Sequence, residues 1–302
     1  MRVLHLSDVH VTIPFRSLPW REMLNKRLLG AANLYLRRGK HFNEAADKLA
    51  RLGELADRAA VELVICTGDY TALGTHPELA AARLAIEGLT GRPHGFMTVP
   101  GNHDMYLDDS VDERRFERHF GEFLKGEPLT AAGVDGVWPV VRLIGDDVAV
   151  IAVNSARANP QFWRSSGRIP EPQLAALTDL LADERIAGRF VFVITHYAPR
   201  RADGSPDEWT HGLENGEQFL AACARLERGA ILHGHIHRPF SLALPGVAPR
   251  IFGAGSSTCA HRESLWLYDV DRSSLRATPG RFDASGGYRL DPSAAIHIAL
   301  PA

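Results

Sequence analysis

The stretch LHLSDVH, residues 4–10, decides how the rest of the chain is read. Arg2–Leu6 is a short apolar run that predicts a strand. It ends by setting a carboxylate and an imidazole one residue apart, Asp8 and His10. Alone, such a D-x-H is mostly a polar turn. It gains meaning if other strands end the same way, because in α/β sheets ligand-binding groups gather beyond the carboxyl ends of the strands.

Four more strand ends follow the pattern. ELVIC, residues 62–66, predicts a second strand and runs into Thr67, Gly68 and Asp69. Residues 96–99 predict a third, stopped by Pro100 and Gly101 and followed by Asn102, His103 and Asp104. FVFVIT, residues 190–195, predicts a fully buried strand with His196 after it. Residues 230–233 predict another, which leads to Gly234, His235, Ile236 and His237. Helical spacing covers 43–60, 77–89, 112–124, 171–187 and 214–226. VVRLI from Val140 and VAVIAV from Val148, with Gly145, Asp146 and Asp147 between, predict a hairpin. From about 239 the chain is mostly β. This order predicts an α/β domain with more than one sheet. No linker or repeat divides residues 1–302, so a single domain is expected.

The bulk figures narrow the class. The chain has 302 residues, 45% hydrophobic and 23% charged, as in ordinary globular proteins. A formal charge of −2 excludes a polyanion binder as a whole. With no evident basic-aromatic groove, long nucleic acid is not the expected partner. Cys66, Cys223 and Cys259 lie far apart with no C-x-x-C spacing, which points away from a disulfide framework and toward a reducing cytosol. Neither a secretory signal nor a run of roughly 18 apolar residues is visible. The expectation is a cytoplasmic protein, at most peripheral to a membrane.

Carboxylate oxygen and imidazole nitrogen together suit zinc, iron and manganese. Two ions about 3.5–4 Å apart can clamp an in-line displacement at phosphorus, provided an anion bridges them. Glycine beside the ligands, at Gly68, Gly101 and Gly234, lets the backbone come close. Not every histidine belongs to this set. His5 and His233 sit on strands and are expected to pack.

The ordered set D-x-H, GD, GNHD, TH and GH-x-H resembles the calcineurin-like metallophosphoesterase superfamily over about residues 2–239, and within it the bacterial class III cyclic-nucleotide-phosphodiesterase-like branch. The resemblance implies a four-layer α/β-β/α sandwich of two mixed sheets flanked by helices, with a dimetal site on one edge. It implies that Asp8, His10 and His237 hold one ion, that Asn102, His196 and His235 hold the other, and that Asp69 bridges them. It places His103 over the substrate, to stabilise the phosphoryl oxygens or protonate the leaving group, with Asp104 holding its imidazole. The implied activity is hydrolysis of a small phosphodiester by a hydroxide bridging two divalent or mixed-valence ions of manganese, iron or zinc. A phosphomonoesterase or a nucleotide-sugar-lipid pyrophosphatase would use the same site. An interaction scaffold of this fold would have lost ligands, and here none is missing.

Other features stay open. Asn154, Arg157, Tyr197 and His211 are candidate substrate contacts. GAGSST, residues 253–258, is either a lip near the metals or a small-residue turn. Residues 14–40 form a basic helical insertion, with apolar positions at Trp20, Met23, Leu24, Leu28, Ala31, Leu34 and Tyr35 at helical spacing. Between Arg16 and Lys40 stand seven Lys or Arg against one acid, Glu22, a net +6. The insertion reads as a packing helix, as a lid drawing an anionic substrate, or as a peripheral membrane contact through 15–40. The β-rich tail after Gly253 completes the second sheet, pairs with another subunit as a homo-oligomer, or does both.

Overall fold

Two mixed sheets take up the apolar runs. The computed structural model describes residues 1–38, 41–42, 44–127, 137–244 and 247–301. Residues 39–40 at the end of the basic insertion, residue 43 at an expected helix start, and 245–246 at the close of an expected β-run lie outside them.

The first sheet is built on β1 (Arg2–Leu6), β2 (Leu63–Cys66) and β3 (Phe96–Thr98), paired in parallel. The second contains β4 (Val140–Ile144), β5 (Val148–Ala152), β6 (Phe190–Ile194), β7 (Gly229–His233), β8 (Pro239–Leu244) and β9 (Val247–Ala254). Its spatial order is β4-β5-β6-β7-β9-β8, with β5, β6, β7 and β9 parallel and an antiparallel strand at each edge. The expected hairpin is β4–β5. The chain then returns to the first sheet. There β10 (Ser264–Val270) pairs antiparallel with β1, and β11 (Ser274–Asp283), β12 (Gly287–Leu290) and β13 (Ile296–Ala299) continue outward. So the tail after Gly253 completes a sheet, the one that holds the first motif strand. The reason is the otherwise unpaired edge of β1, whose residues Arg2 to His5 align with Asp269 to Trp266 of β10.

Period-two alternation sorts the side chains between layers. On β5, Val148, Val150 and Ala152 join the core between the sheets, while Ala149 and Ile151 face helices. Phe192 of β6 meets Tyr268 of β10 at 5.6 Å between ring centroids, and Phe252 of β9 meets Trp266 at 5.3 Å. Full burial of each such ring stabilises the contact between sheets by about 1.5–3 kcal/mol. Outside the second sheet, helix Glu171–Leu181 lays down Leu174, Leu177 and Leu180. Outside the first, helix Ala45–Arg58 lays down Leu49, Leu52 and Ala56. The result is the helix–sheet–sheet–helix sandwich.

Two helical expectations are corrected. The helix expected over 112–124 is broken into Asp108–Asp112, Arg115–Phe120 and a 3-10 turn, because Arg114 takes a left-handed φ of 51°. The insertion is not one amphipathic helix either. Two 3-10 turns, Phe15–Ser17 and Trp20–Met23, precede helix Lys26–Asn33, which continues as a π-helix over Leu34–Arg38. The change of pitch splits the expected stripe. Met23, Ala31 and Leu34 are buried against Ala72, Leu73, Tyr106 and Leu107, whereas Trp20, Leu24 and Leu28 face outward. Arg27 is fully buried, donating to both Asp109 oxygens at 2.6 and 2.7 Å. Among the described residues no helix is long and apolar enough to cross a membrane.

Candidate metal centre

All five motif loops leave the carboxyl ends of β1, β2, β3, β6 and β7 and converge on one edge of the sandwich. Their backbone is unusual. Asp8, His10, Asp69, His235 and His237 all have positive φ, from 39° to 68°. Non-glycine residues rarely adopt this region, and it clusters where a site requires it. The loops also press together. A Cβ on Gly101 would strike Asp69 Oδ1, and one on Gly234 would strike Ser7 Oγ and Asp8 Oδ2.

Asp69 lies at the centre. Its Oδ2 is 3.9 Å from His10 Nε2 and 3.5 Å from His196 Nε2. On one side, ligand atoms of Asp8, His10, Asp69 and His237 lie within 4.8 Å of one another. On the other, Asn102 Oδ1 is 3.2 Å from His196 Nε2 and 3.0 Å from His235 Nδ1.

Backbone carbonyls set the tautomers. His10 Nδ1 donates to Thr71 O at 3.0 Å, His196 Nδ1 to Thr67 O at 2.6 Å, and His235 Nε2 to His211 O at 2.9 Å. The opposite nitrogen of each ring therefore turns a lone pair into the site, as carbonyl-anchored metal ligands do. Burial lowers the pKa of all three, which favours the neutral, ligating form. Asp69 is pushed up to about 6, first by burial and also by the charge of Asp8. Burial would lower His237, but the Asp8 carboxylate outweighs it and raises that imidazole to about 10. Asp8 Oδ1 is buried 2.9 Å from His237 Nε2, where the two pair while that ring is protonated. Two buried carboxylates and inward lone pairs form a donor set that suits cations.

His103 is half-buried beside this group. Its N–H donates to Asp69 Oδ1 at 2.8 Å, and its Nδ1 donates to Ala72 O at 2.7 Å. Asp104, expected to hold that imidazole, has both carboxylate oxygens engaged by backbone donors. It is fully buried and accepts backbone N–H bonds from Asp69, Tyr70, Thr71 and Gly101 at 2.9–3.1 Å. Its work is to fasten the β2 loop to the β3 loop. Asp104→Ala is expected to destabilise the fold by about 3 kcal/mol or more, since several buried donors lose their acceptor. Urea unfolding checks this; unchanged stability with a slower reaction would restore the expected role.

The site opens into a cavity of about 480 Å³. His103 and His211 line it, but three expected substrate contacts do not. Asn154 Oδ1 is taken by the N–H of Ala156. Arg157 is spent on Ser166 and Glu214. Tyr197 is buried, its hydroxyl donating to Ser165 O and its ring packed on His235 at 4.2 Å. His211 does reach the cavity, and its Nδ1 is held by Asp207 Oδ2 at 2.9 Å. GAGSST turns its hydroxyls away from the opening. Ser256 Oγ and Thr258 Oγ1 donate to the carbonyls of Asp8 and Val9 at 2.7 Å, clamping the first motif. Lys26, Asn159, Trp163 and Arg262 line the cavity without having been expected to. Only Lys26 left a trace in sequence, as part of the basic insertion. His5 and His233 pack, as expected, against Tyr268 and Phe240.

A family model described as calcineurin-like phosphoesterase matches residues 1–239. No curated protein matches the sequence. Among solved structures, a dimetal phosphatase from Danio rerio superposes with a TM-score of 0.68 at 13% identity, covering 99% of each chain. The purple acid phosphatase PPD1 of yellow lupin gives 0.63 at 12% identity, over 99% of this chain and 53% of that one. GAP50 of Plasmodium, the anchor in its inner membrane complex, gives 0.54 at 9% identity, covering 100% of this chain and 89% of its own. At such identities the likeness is one of fold.

Proposed function

The chain belongs to the calcineurin-like phosphoesterase family, and from that premise we propose that it is a dimetal phosphodiesterase. The observation that carries this reading is the gathering of six further ligand side chains around Asp69, with the ring lone pairs of His10, His196 and His235 turned inward. Asp8, His10 and His237 would hold one cation and Asn102, His196 and His235 the other, with Asp69 shared. The donors suit manganese, iron or zinc. When bound, such a pair supplies Lewis acidity toward the phosphoryl oxygens and makes a water nucleophilic at neutral pH.

The chain's own groups do the rest. His103 donates to a phosphoryl oxygen or to the departing alkoxide. Its Nδ1–H bond to Ala72 O fixes the ring for that task. Arg262 and Lys26 place positive charge on the cavity wall, which favours an anionic substrate. Helix Lys26–Asn33 and the loop around Trp163 both line the cavity, so a bound ester would meet the chain on more than one side. That favours a diester, in keeping with the class III branch, over a phosphomonoester or a nucleotide-sugar-lipid pyrophosphate. The full ligand set favours an enzyme over a scaffold. The free thiols of Cys66, Cys223 and Cys259 fit a reducing, cytoplasmic setting.

The test is a panel with manganese, iron or zinc. Aryl phosphodiesters are expected to turn over faster than aryl monoesters, cyclic nucleotides and UDP-sugar lipids. A clear monoester preference would overturn the diester reading and leave the reaction type standing.

A further inference from the structure

Helix Lys26–Asn33 and its continuation turn an unusual face to solvent. Arg27, Ala31 and Leu34 point inward, four and three residues apart on one side. The opposite side carries Leu28, Leu29 and Leu36, exposed by 52%, 61% and 82%. A surface helix ordinarily hides its apolar stripe and shows its charges. Here the charge goes in, with Arg27 on Asp109, and leucines go out.

The neighbouring structure extends this surface. Trp20 and Leu24 are exposed just before the helix. Across the cavity mouth, Phe162 and Trp163 pack edge to face at 4.9 Å and are both exposed, as is Trp209. Lys26 joins the two rims by donating to the carbonyls of Asn159 and Arg164 at 2.6 and 3.3 Å. Of the other large hydrophobics exposed among the described residues, Phe15 and Tyr35 belong to the same insertion, and only Leu84 and Val111 lie elsewhere. Single exposed apolar residues are normal, but a concentration rimmed by polar groups marks an interaction surface.

Charge selects the partner. The chain carries −2 overall, yet residues 16–40 carry a net +6, with Arg16 and Arg21 exposed. A second copy meeting this face across a two-fold axis would set that charge against itself. A polyanion such as RNA would satisfy the arginines but leave the leucines wet. Tryptophan and leucine beside arginine match the headgroup boundary of an anionic bilayer, which takes the apolar groups below and the cations above.

We propose that this rim docks the protein, cavity mouth first, on an anionic lipid bilayer. Trp20, Leu24, Leu28 and Leu29 enter the headgroup boundary, and Arg16 and Arg21 rest on lipid phosphates. The docking stands apart from the reaction assigned to the cavity.

Co-sedimentation of the full chain with vesicles tests it, using phosphatidylcholine alone or mixed with phosphatidylglycerol. Wild-type protein is expected to pellet with the mixed vesicles, to bind neutral ones less, and to be released by salt. Trp20→Ser, Leu24→Ser and Leu28→Ser together are expected to lower partitioning about tenfold or more. They should leave turnover of a soluble aryl phosphodiester unchanged. Arg16→Glu with Arg21→Glu should weaken binding to the anionic vesicles selectively. These positions are exposed, so the fold is not at stake. Absence of wild-type binding, or equal binding of the triple variant, overturns the proposal. So does a dimer seen by light scattering that the triple substitution dissociates, since a second copy would then be the occupant. A chain that docks but hydrolyses nothing would sink the reading of the cavity and leave this one intact.

Discussion

Asp69→Asn is expected to leave the protein folded, to reduce bound metal from two ions per chain to one or none, and to slow aryl phosphodiester hydrolysis about a thousandfold or more. Asparagine keeps the shape, tolerates the left-handed φ of 61°, and still offers an oxygen to the His103 N–H now held at 2.8 Å. What it removes is the charge. Asp69 is the carboxylate that reaches both halves of the site, with Oδ2 at 3.9 Å from His10 Nε2 and 3.5 Å from His196 Nε2. Asp8 stands with the first half only, and the second half is otherwise made of neutral donors. Without the charge of Asp69, a cation among Asn102, His196 and His235 would have no anion beside it, and two cations would repel without an intervening screen. Loss of several kcal/mol of transition-state stabilisation corresponds to about a thousandfold or more, at 1.36 kcal/mol per tenfold. Elemental analysis after dialysis and steady-state rates check both parts. Two ions per chain at the wild-type rate would end the dimetal reading.

The sequence showed these groups because each one sits just past a strand, and strands are legible from short β-branched runs. Their convergence follows from parallel pairing, which puts the ends of β1, β2 and β3, and of β6 and β7, on one edge. What local sequence did not show depends on partners far along the chain. The resemblance implied that Asp104 holds the His103 ring. The turn sends Asp104 down to the N–H groups of residues 69–71, some thirty-five residues earlier. Arg27 counted only toward the charge of the insertion, and nothing nearby in sequence announced Asp109 as its partner. Asn154 and Arg157 looked available because nothing nearby in sequence announced Ala156 N–H, Ser166 and Glu214 as their partners. Arg262 reaches the cavity from a loop with no motif at all. Ligand identity was therefore local information, whereas orientation and substrate contact were tertiary.

The second large effect separates chemistry from metal holding. His103→Ala is expected to bind two ions per chain as the wild type does and to lose about a hundredfold to ten-thousandfold in turnover, the range of a positioned general acid. The ligand atoms that lie within 4.8 Å of one another are those of Asp8, His10, Asp69 and His237, whereas the His103 ring lines the cavity and stands edge-on to His10 at 5.1 Å between centroids. Its backbone N–H, which anchors Asp69 Oδ1, survives the substitution, so the centre keeps its shape. If His103 acts on the leaving group, the loss should grow with the basicity of that group. A nitrophenolate leaves without help, whereas an alkoxide needs a proton. The deficit should therefore be smallest with a nitrophenyl ester and larger with an alkyl ester of the same acid. If His103 serves the phosphoryl oxygens instead, both substrates should suffer alike. Wild-type rates on both, with two ions bound, would remove His103 from the mechanism. A fall in metal content would make it a part of the cage and not of the chemistry.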